Sequence, residues 1–108
     1  MTMQKHSDPM DARLQAALDA QDWALLTRLC RQALRKNGRH HKAHRLLGFA
    51  LSQTGDIDPA LQAFRQAAAL WPQDAELLIN YANTLLNQGR HSVALPLLEK
   101  VVQLRPDH

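Results

Sequence analysis

The sequence predicts an all-α protein made of three consecutive antiparallel helix-turn-helix hairpins. Residues 41–74 match residues 75–108 when the chain is shifted by 34 positions, with a glycine, an alanine and a proline kept in register, and self-similarity at such a period is typical of stacked helical units. Apolar residues make up 45% of the 108 and aromatic residues only 5%, so alanine and leucine would form most of the core. Six segments also carry apolar residues at the spacing of one helical face.

The first hairpin is predicted from its helix-start signals and its apolar spacing. Asp8 is a suitable N-cap before Pro9, whose missing N–H is not needed in the first turn of a helix. The first helix should extend to about residue 20 and bury Leu14, Ala17 and Leu18. After a tight turn, Trp23 begins a second helix with a longer apolar stripe: Leu25, Leu26, Leu29, Cys30, Ala33 and Leu34. Asn37 and Gly38 should end this helix with left-handed residues.

The second hairpin should contain helices over residues 41–54 and 58–70. Gly55 is suited to end the first of these in a left-handed cap. Asp58 and Pro59 then provide an N-cap and a first helical residue for the next helix. A Trp-Pro pair should end that helix at residue 71, because the residue before a proline avoids the α region.

The third hairpin repeats this plan, with helices over residues 75–88 and 92–104. Its predicted N-caps are Asp74 and Ser92, and Gly89 should end the first helix. Pro96 falls inside the last helix, where it removes a backbone donor and should lower stability.

The pattern shared by the second and third units resembles the tetratricopeptide repeat, a 34-residue helical hairpin. The matching residues of the second unit are His44, Leu47, Gly48, Leu51, Ala60, Phe64, Ala67 and Pro72. The resemblance implies three repeats, at residues 7–40, 41–74 and 75–108, stacked in a right-handed superhelix. The first repeat is degenerate, and residues 1–6 are expected to be a disordered leader.

The resemblance also implies where a ligand would bind, because the first helices of successive repeats line a concave groove in this family. The positions that this places in the groove are Lys42, Arg45, Phe49, Ser52, Glu76, Ile79, Asn80, Asn83 and Leu86, together with Asp8, Asp11, Gln15 and Leu18 of the first repeat. A clamp for a peptide's terminal carboxylate is not expected, because Phe49 occupies the position where that clamp needs an asparagine.

The function expected from the resemblance is a non-catalytic module that binds a peptide or protein segment in this groove. Two alternatives stay open: the N-terminal recognition arm of a larger bacterial transferase, and a small secretion chaperone of the same repeat family. The sequence contains no motif of a nucleophile, a phosphate loop or a cofactor site, so we expect neither enzymatic activity nor a cofactor.

Three other features invite a functional interpretation. Cys30 lies on an apolar stripe and is interpreted as a core thiol. The cluster of His40, His41 and His44 includes a spacing seen in metal sites, yet a turn position and helix packing account for it, so no metal is expected. The basic run from Arg28 to Arg45 holds seven Lys/Arg and no acid. It is interpreted as a solvated face or a site for an acidic partner, and not for nucleic acid, since no aromatic residues interleave to stack bases.

The composition bounds the cellular setting and the state of association. One cysteine excludes an internal disulfide, the first eight residues lack the apolar region of a secretory signal, and no apolar run is long enough for a membrane span. We therefore expect a cytoplasmic protein without a membrane partner. The last helix should leave Leu95 and Val102 on an apolar flank that no further repeat of this sequence covers. Two interpretations follow: the sequence is the N-terminal piece of a longer protein, or the flank is buried against another molecule, in the simplest case in a homodimer through the C-terminal repeat.

Overall fold

A computed structural model describes residues 9–105 as six α-helices joined by short turns. The helices are α1 (Pro9–Asp19), α2 (Trp23–Lys36), α3 (His41–Gln53), α4 (Ile57–Leu70), α5 (Ala75–Asn87) and α6 (His91–Leu104). No strand occurs in this range. The all-α prediction is thus confirmed, and each described helix end lies within two residues of the predicted one. None of the six helices is both long and apolar enough to cross a membrane.

The helices form three hairpins that stack along the chain. Each of the pairs α1–α2, α3–α4 and α5–α6 packs as a hairpin, and the contacts of α2 with α3 and of α4 with α5 join neighbouring hairpins. The first helix of the middle hairpin, α3, also contacts both α1 and α5. Consequently α1, α3 and α5 lie side by side on one face of an elongated molecule that measures 52 × 31 × 24 Å.

The turn inside each hairpin has the same backbone geometry in all three repeats. Gly55 and Gly89 have φ values of +84° and +73°, and Gln21, which lies 34 residues before Gly55, has a φ of +54°. In every case the next amide bonds a carbonyl five residues earlier: Asp22 to Ala17, Asp56 to Leu51 and Arg90 to Leu85, at 2.9–3.0 Å. This left-handed cap shows that the degenerate first unit keeps the repeat's turn without its glycine.

The same turn corrects two predicted N-caps. The helix after the turn begins two residues beyond the left-handed residue, so Asp56 and Arg90 are the N-cap residues of α4 and α6. Asp58 and Ser92 are therefore second helical residues and not N-caps, and Pro59 is the third, where a backbone N–H is still not required. Asp22 and Asp74 cap α2 and α5 with hydrogen bonds of 3.1 Å to the N–H groups of Leu25 and Leu77. The predicted cap Asp8 lies outside the described residues.

The end of α2 lies where it was predicted, at Lys36, but the predicted left-handed conformation of the residues after it is wrong. Asn37 is extended, with a φ of −142°, and Gly38 does not have a positive φ. Trp71 and Arg105, at the corresponding positions of the other repeats, have φ values of −131° and −132°. Proline, whose φ is always negative, occupies the equivalent position 72 of the second repeat. Gly38 therefore has the sign of φ that this turn has in the second repeat.

The two helices of each hairpin cross closely in the core. Where they cross, a large residue on one helix is matched by a smaller residue on the other. Gly48 lies against Phe64, and the 34-residue alignment pairs Leu14 with Cys30 and Ala82 with Leu98 at the same positions of the other two hairpins. The first two pairs are buried, and Leu98 packs against the cluster that contains Ala82. A Cβ added to Gly48 would lie 2.6 Å from the Phe64 ring. Each hairpin thus matches a large residue to a smaller one at the same place, which explains why Cys30 is a buried core residue.

Candidate functional site

A cleft of about 450 Å³ lies on the face formed by α1, α3 and α5. We call it the central cleft, and its lining residues are Gln15, Leu18, Lys42, Arg45, Leu46, Phe49, Glu76, Ile79 and Asn80. All three first helices contribute, because the hairpins stack with these helices adjacent. Four of the lining side chains are apolar, two are cationic and one is a carboxylate.

The central cleft continues at both ends along α3. Towards the start of α3 it shares Lys42 and Arg45 with a cleft of about 370 Å³, the basic cleft, which is also lined by Asp11, Asn37, Arg39, His40 and His41. Towards the end of α3 it shares Phe49 and Asn80 with a cleft of about 240 Å³, the amide cleft, which is also lined by Ser52, Gln53, Ile57, Asn83, Thr84 and Asn87. The three clefts therefore form one groove that follows the length of α3.

The two cations of the central cleft are only partly neutralised. The Lys42 amine donates to the Gln15 side-chain carbonyl at 2.8 Å, and Gln15 in turn donates to Asp19 at 2.9 Å. The Arg45 guanidinium lies 3.8 Å from a carboxylate oxygen of Asp74, the same oxygen that lies 2.7 Å from Nε2 of His41. Both cations can therefore still bind an anionic group.

Phe49 packs against an aromatic residue of the first hairpin, Trp23. Its ring packs against the Trp23 ring in a T-shaped arrangement, with centroids 5.5 Å apart and planes at 84°, a favourable aromatic geometry. Trp23 opens α2, so this contact ties the middle of the groove to the first hairpin. Phe49 contributes to packing as well as lining both the central and the amide cleft.

Most of the predicted groove residues line these clefts. Those that do are Lys42, Arg45, Phe49, Ser52, Glu76, Ile79, Asn80 and Asn83, with Asp11, Gln15 and Leu18 from α1. Leu86 instead packs against the core cluster that contains Leu61, Ala82 and Ala94. The sequence reasoning missed Leu46, Gln53, Thr84 and Asn87 because it took only selected positions of each first helix. It also missed His41 and Ile57 at the starts of α3 and α4, and three residues of the turn before α3: Asn37, Arg39 and His40. Asn87 lies one turn after Asn83, which is the signal that could have found it.

The three neighbouring histidines have separate structural roles. His40 accepts the Ala43 N–H at Nδ1 (3.1 Å) and so caps α3. His41 stacks on Trp71, with ring centroids 4.1 Å apart and planes at 6°. His44, in the position where the repeat usually has tryptophan, is buried and donates from Nε2 to the Gly38 carbonyl at 2.7 Å. Across residues 9–105, no three His, Cys, Asp or Glu side chains converge as metal ligands would.

Two further surfaces lie away from the groove. Arg28, Arg31 and Arg35 are exposed on α2 and line none of the three clefts, and we call this surface the outer face. On α6, Leu95 and Val102 are 55% and 66% exposed, although Leu61, the counterpart of Leu95 in the preceding repeat, is 4% exposed beneath α5. The difference arises because α6 has no following helix in the structure.

Comparison with known proteins agrees with this architecture. A family model described as tetratricopeptide repeat matches residues 53–108. A search of curated proteins finds no match. Similar solved structures include a MamA mutant, with a TM-score of 0.80 and 25% identity over 88% of this chain and 69% of that chain. YrrB, a tetratricopeptide repeat protein with an unusual peptide-binding site, has a TM-score of 0.81 and 22% identity over 94% of this chain and 54% of its own.

A further similar structure is a much longer protein. A mutant of the Thermobaculum terrenum O-GlcNAc transferase has a TM-score of 0.78 and 27% identity over 95% of this chain but only 21% of its own. The present chain thus spans between about a fifth and two thirds of these three proteins.

Proposed function

Since the chain belongs to the tetratricopeptide repeat family, we propose that it is a non-catalytic interaction module that binds a peptide or protein segment in the groove along α3. The observation that supports this most directly is the continuity of the three clefts, because Lys42, Arg45, Phe49 and Asn80 each line two of them. Stacked helical repeats generally use such extended concave surfaces for binding.

The side chains of the groove suit a polypeptide ligand. Apolar side chains in the central cleft can bury an apolar ligand side chain, and the asparagine amides, which both donate and accept hydrogen bonds, can pair with a peptide backbone. Phe49 and Arg45 belong to the residue types most often found at energetically dominant positions of interfaces. YrrB, whose fold is similar, is a peptide-binding protein by its description.

A selection of random peptides displayed on phage against the immobilised protein would test this proposal. Asn80→Arg places a long side chain at the junction of the central and amide clefts and should abolish binding of the selected peptides. Phe49→Ala combined with Arg45→Ala should weaken binding more than about tenfold. Arg28→Ala is the matched control on the outer face and should leave binding unchanged.

The thermal melt of each variant must accompany these measurements. Phe49→Ala removes the ring contact with Trp23 and should lower the melting temperature, whereas Asn80→Arg removes no apolar contact. Selected peptides that bind Asn80→Arg as tightly as the parent would place the site outside the groove.

A second candidate is a recognition arm within a larger transferase. The observation that favours it is the similarity to the O-GlcNAc transferase structure, which extends over 95% of this chain and 21% of that one. Immunoblotting of the source cells with an antibody to residues 75–108 distinguishes the two. A band of several times 12.2 kDa supports the arm, and a band at that mass contradicts it.

A further inference from the structure

The groove changes its chemistry along α3, and we propose that this order selects the ligand. The ligand is an extended segment with carboxylate side chains at one end, apolar side chains in the middle and uncharged polar residues at the other end. This inference rests on the proposed function, because it specifies what the groove binds.

The basic cleft is suited to carboxylates. It gathers Arg39, Lys42 and Arg45 around the start of α3, where the first turn contains no acidic residue. Among residues 9–105, Asp11 is the one carboxylate that lines this cleft, and Nε2 of His40 lies 3.1 Å from it. The positive end of the helix adds to the attraction for an anion.

The donors of two of these cations remain available to a ligand. Among the described residues, no carboxylate lies within ion-pair distance of the Lys42 amine, whose partner is the neutral Gln15 amide. The Asp74 carboxylate near Arg45 also accepts the Leu77 N–H at its other oxygen. A ligand carboxylate between Lys42 and Arg45 would therefore form charge-assisted hydrogen bonds at little expense to existing ones.

The middle of the groove favours an apolar side chain and disfavours a second acid. The apolar residues Leu18, Leu46, Phe49 and Ile79 line the central cleft. Glu76, the one carboxylate among its described lining residues, would repel an acidic side chain placed there. Glu76 thus helps to restrict ligand acids to the basic cleft.

At the far end of the groove, the described lining residues are Phe49, Ile57 and six uncharged polar residues. Ser52, Gln53, Asn80, Asn83, Thr84 and Asn87 line the amide cleft. The Ser52 and Thr84 hydroxyls already donate to the carbonyls of Phe49 and Asn80, so the amides supply most of the remaining donors. Such a surface pairs with backbone, hydroxyl and amide groups and offers a charged side chain no group of opposite charge.

The length of the groove sets the length of the segment. The 13 residues of α3 span about 20 Å at 1.5 Å per residue, which equals about six residues of extended chain at 3.3 Å each. Polar residues line the groove at both ends, beyond its apolar middle. A segment from the interior of a ligand chain can therefore fill the groove, and binding needs no C-terminal carboxylate.

Fluorescence anisotropy with synthetic peptides tests the inference. The probe is a fluorescein-labelled peptide with blocked termini and the core Glu-Glu-Leu-Phe-Ser-Asn, made in both chain directions. Comparison peptides replace Glu with Gln, replace Glu with Lys, or replace Leu-Phe with Gly-Gly. In one of the two directions the Glu peptide should bind about tenfold more tightly than its Gln counterpart, the difference between a charged and a neutral hydrogen bond. Added salt should reduce this advantage.

Matched variants locate the effect. Lys42→Gln with Arg45→Gln should bring the Glu peptide down to the affinity of the Gln peptide, whereas Arg28→Gln with Arg31→Gln removes the same charge from the outer face and should leave the ratio unchanged. Equal binding of the Glu and Gln peptides, abolished in both cases by Asn80→Arg, would overturn the charge selection and leave groove binding standing. A preference for Glu that depends on Arg28 and Arg31 but not on Asn80 would overturn both. If no peptide of the set binds, the inference is wrong, and the phage selection decides groove binding separately.

Discussion

Replacing Gly48 with alanine should destabilise the protein, although alanine is the better helix former. An alanine Cβ at this position would lie 2.6 and 2.7 Å from Cδ1 and Cε1 of Phe64. The Phe64 ring is fully buried and stacks on Tyr81 with centroids 5.5 Å apart, so it has little room to move away. Overpacking costs about 1–3 kcal/mol, and the upper part of that range applies to a confined ring. The gain in helix propensity is about 1 kcal/mol, which leaves a net loss of about 1–2 kcal/mol.

A second substitution should relieve the clash. The third repeat has Ala82 and Leu98 at the positions of Gly48 and Phe64, so Gly48→Ala with Phe64→Leu reproduces a combination that the fold already contains. Phe64→Leu alone should cost about 1–2 kcal/mol for the lost volume. The loss of unfolding free energy in the double variant should be smaller than the sum of the losses in the two single variants by about 1 kcal/mol or more. Non-additivity of this size is typical of residues in contact.

Urea unfolding followed by far-ultraviolet circular dichroism measures the free energy of unfolding of the parent, the two single variants and the double variant. Gly38→Ala is the control, because a Cβ there meets nothing within 4 Å, and it should change stability by less than about 0.5 kcal/mol. A Gly48→Ala protein that gains about 1 kcal/mol, the value expected from helix propensity alone, would refute the close crossing of α3 and α4. If the changes in unfolding free energy of Gly48→Ala and Phe64→Leu simply add in the double variant, the sizes of the two residues do not compensate one another.

Three other predictions follow from the turns, the core and the last helix. Gln21→Gly should stabilise the protein by about 1 kcal/mol, since Gln21 has a φ of +54° that strains a side chain but not glycine; a lower melting temperature would contradict this. Burial raises the pKa of the Cys30 thiol from 9.0 to about 12, against a smaller opposite effect of Arg31. The thiol should therefore resist alkylation until the protein unfolds. Between pH 9 and 12 only the thiol of the unfolded protein ionises, so the contribution of Cys30 to the free energy of unfolding is constant below pH 9 and declines above it. Cys30→Ala should remove this decline. Finally, Leu95 and Val102 should mediate a homodimer, visible by light scattering at tens of micromolar, that Leu95→Glu with Val102→Lys converts to monomer without loss of helical signal; a parent protein that stays monomeric would exclude this interface.

The fold could be predicted closely because its signals are local and occur three times. The left-handed turn fixes where one helix ends and the next begins, and two of its three copies carry glycine at that position. The first copy has Gln21 there, and only its alignment with Gly55 indicates the turn. The two wrong N-caps, Asp58 and Ser92, followed from reading residue preference alone, whereas the backbone of the turn decides which residue precedes the helix.

The candidate site could be predicted as a set of positions but not as a surface. Helical spacing places Lys42, Arg45 and Phe49 on one face of α3, and this follows from the sequence. Leu86 has the same spacing on α5, yet it packs against the core cluster shared with α6 instead of lining a cleft. Which residues of a helical face reach the groove depends on how the next helix lies across it, and no local pattern encodes that.

The sequence by itself determined the number of helices, their ends to within two residues and the residues that each turns inward, because helix periodicity is a property of a few neighbouring residues. Tertiary structure alone decided that His41 stacks on Trp71, that Phe49 rests on Trp23, and that three clefts join along α3. These features bring together residues from different helices or hairpins, and their geometry depends on the angles and distances at which the packed side chains hold the hairpins.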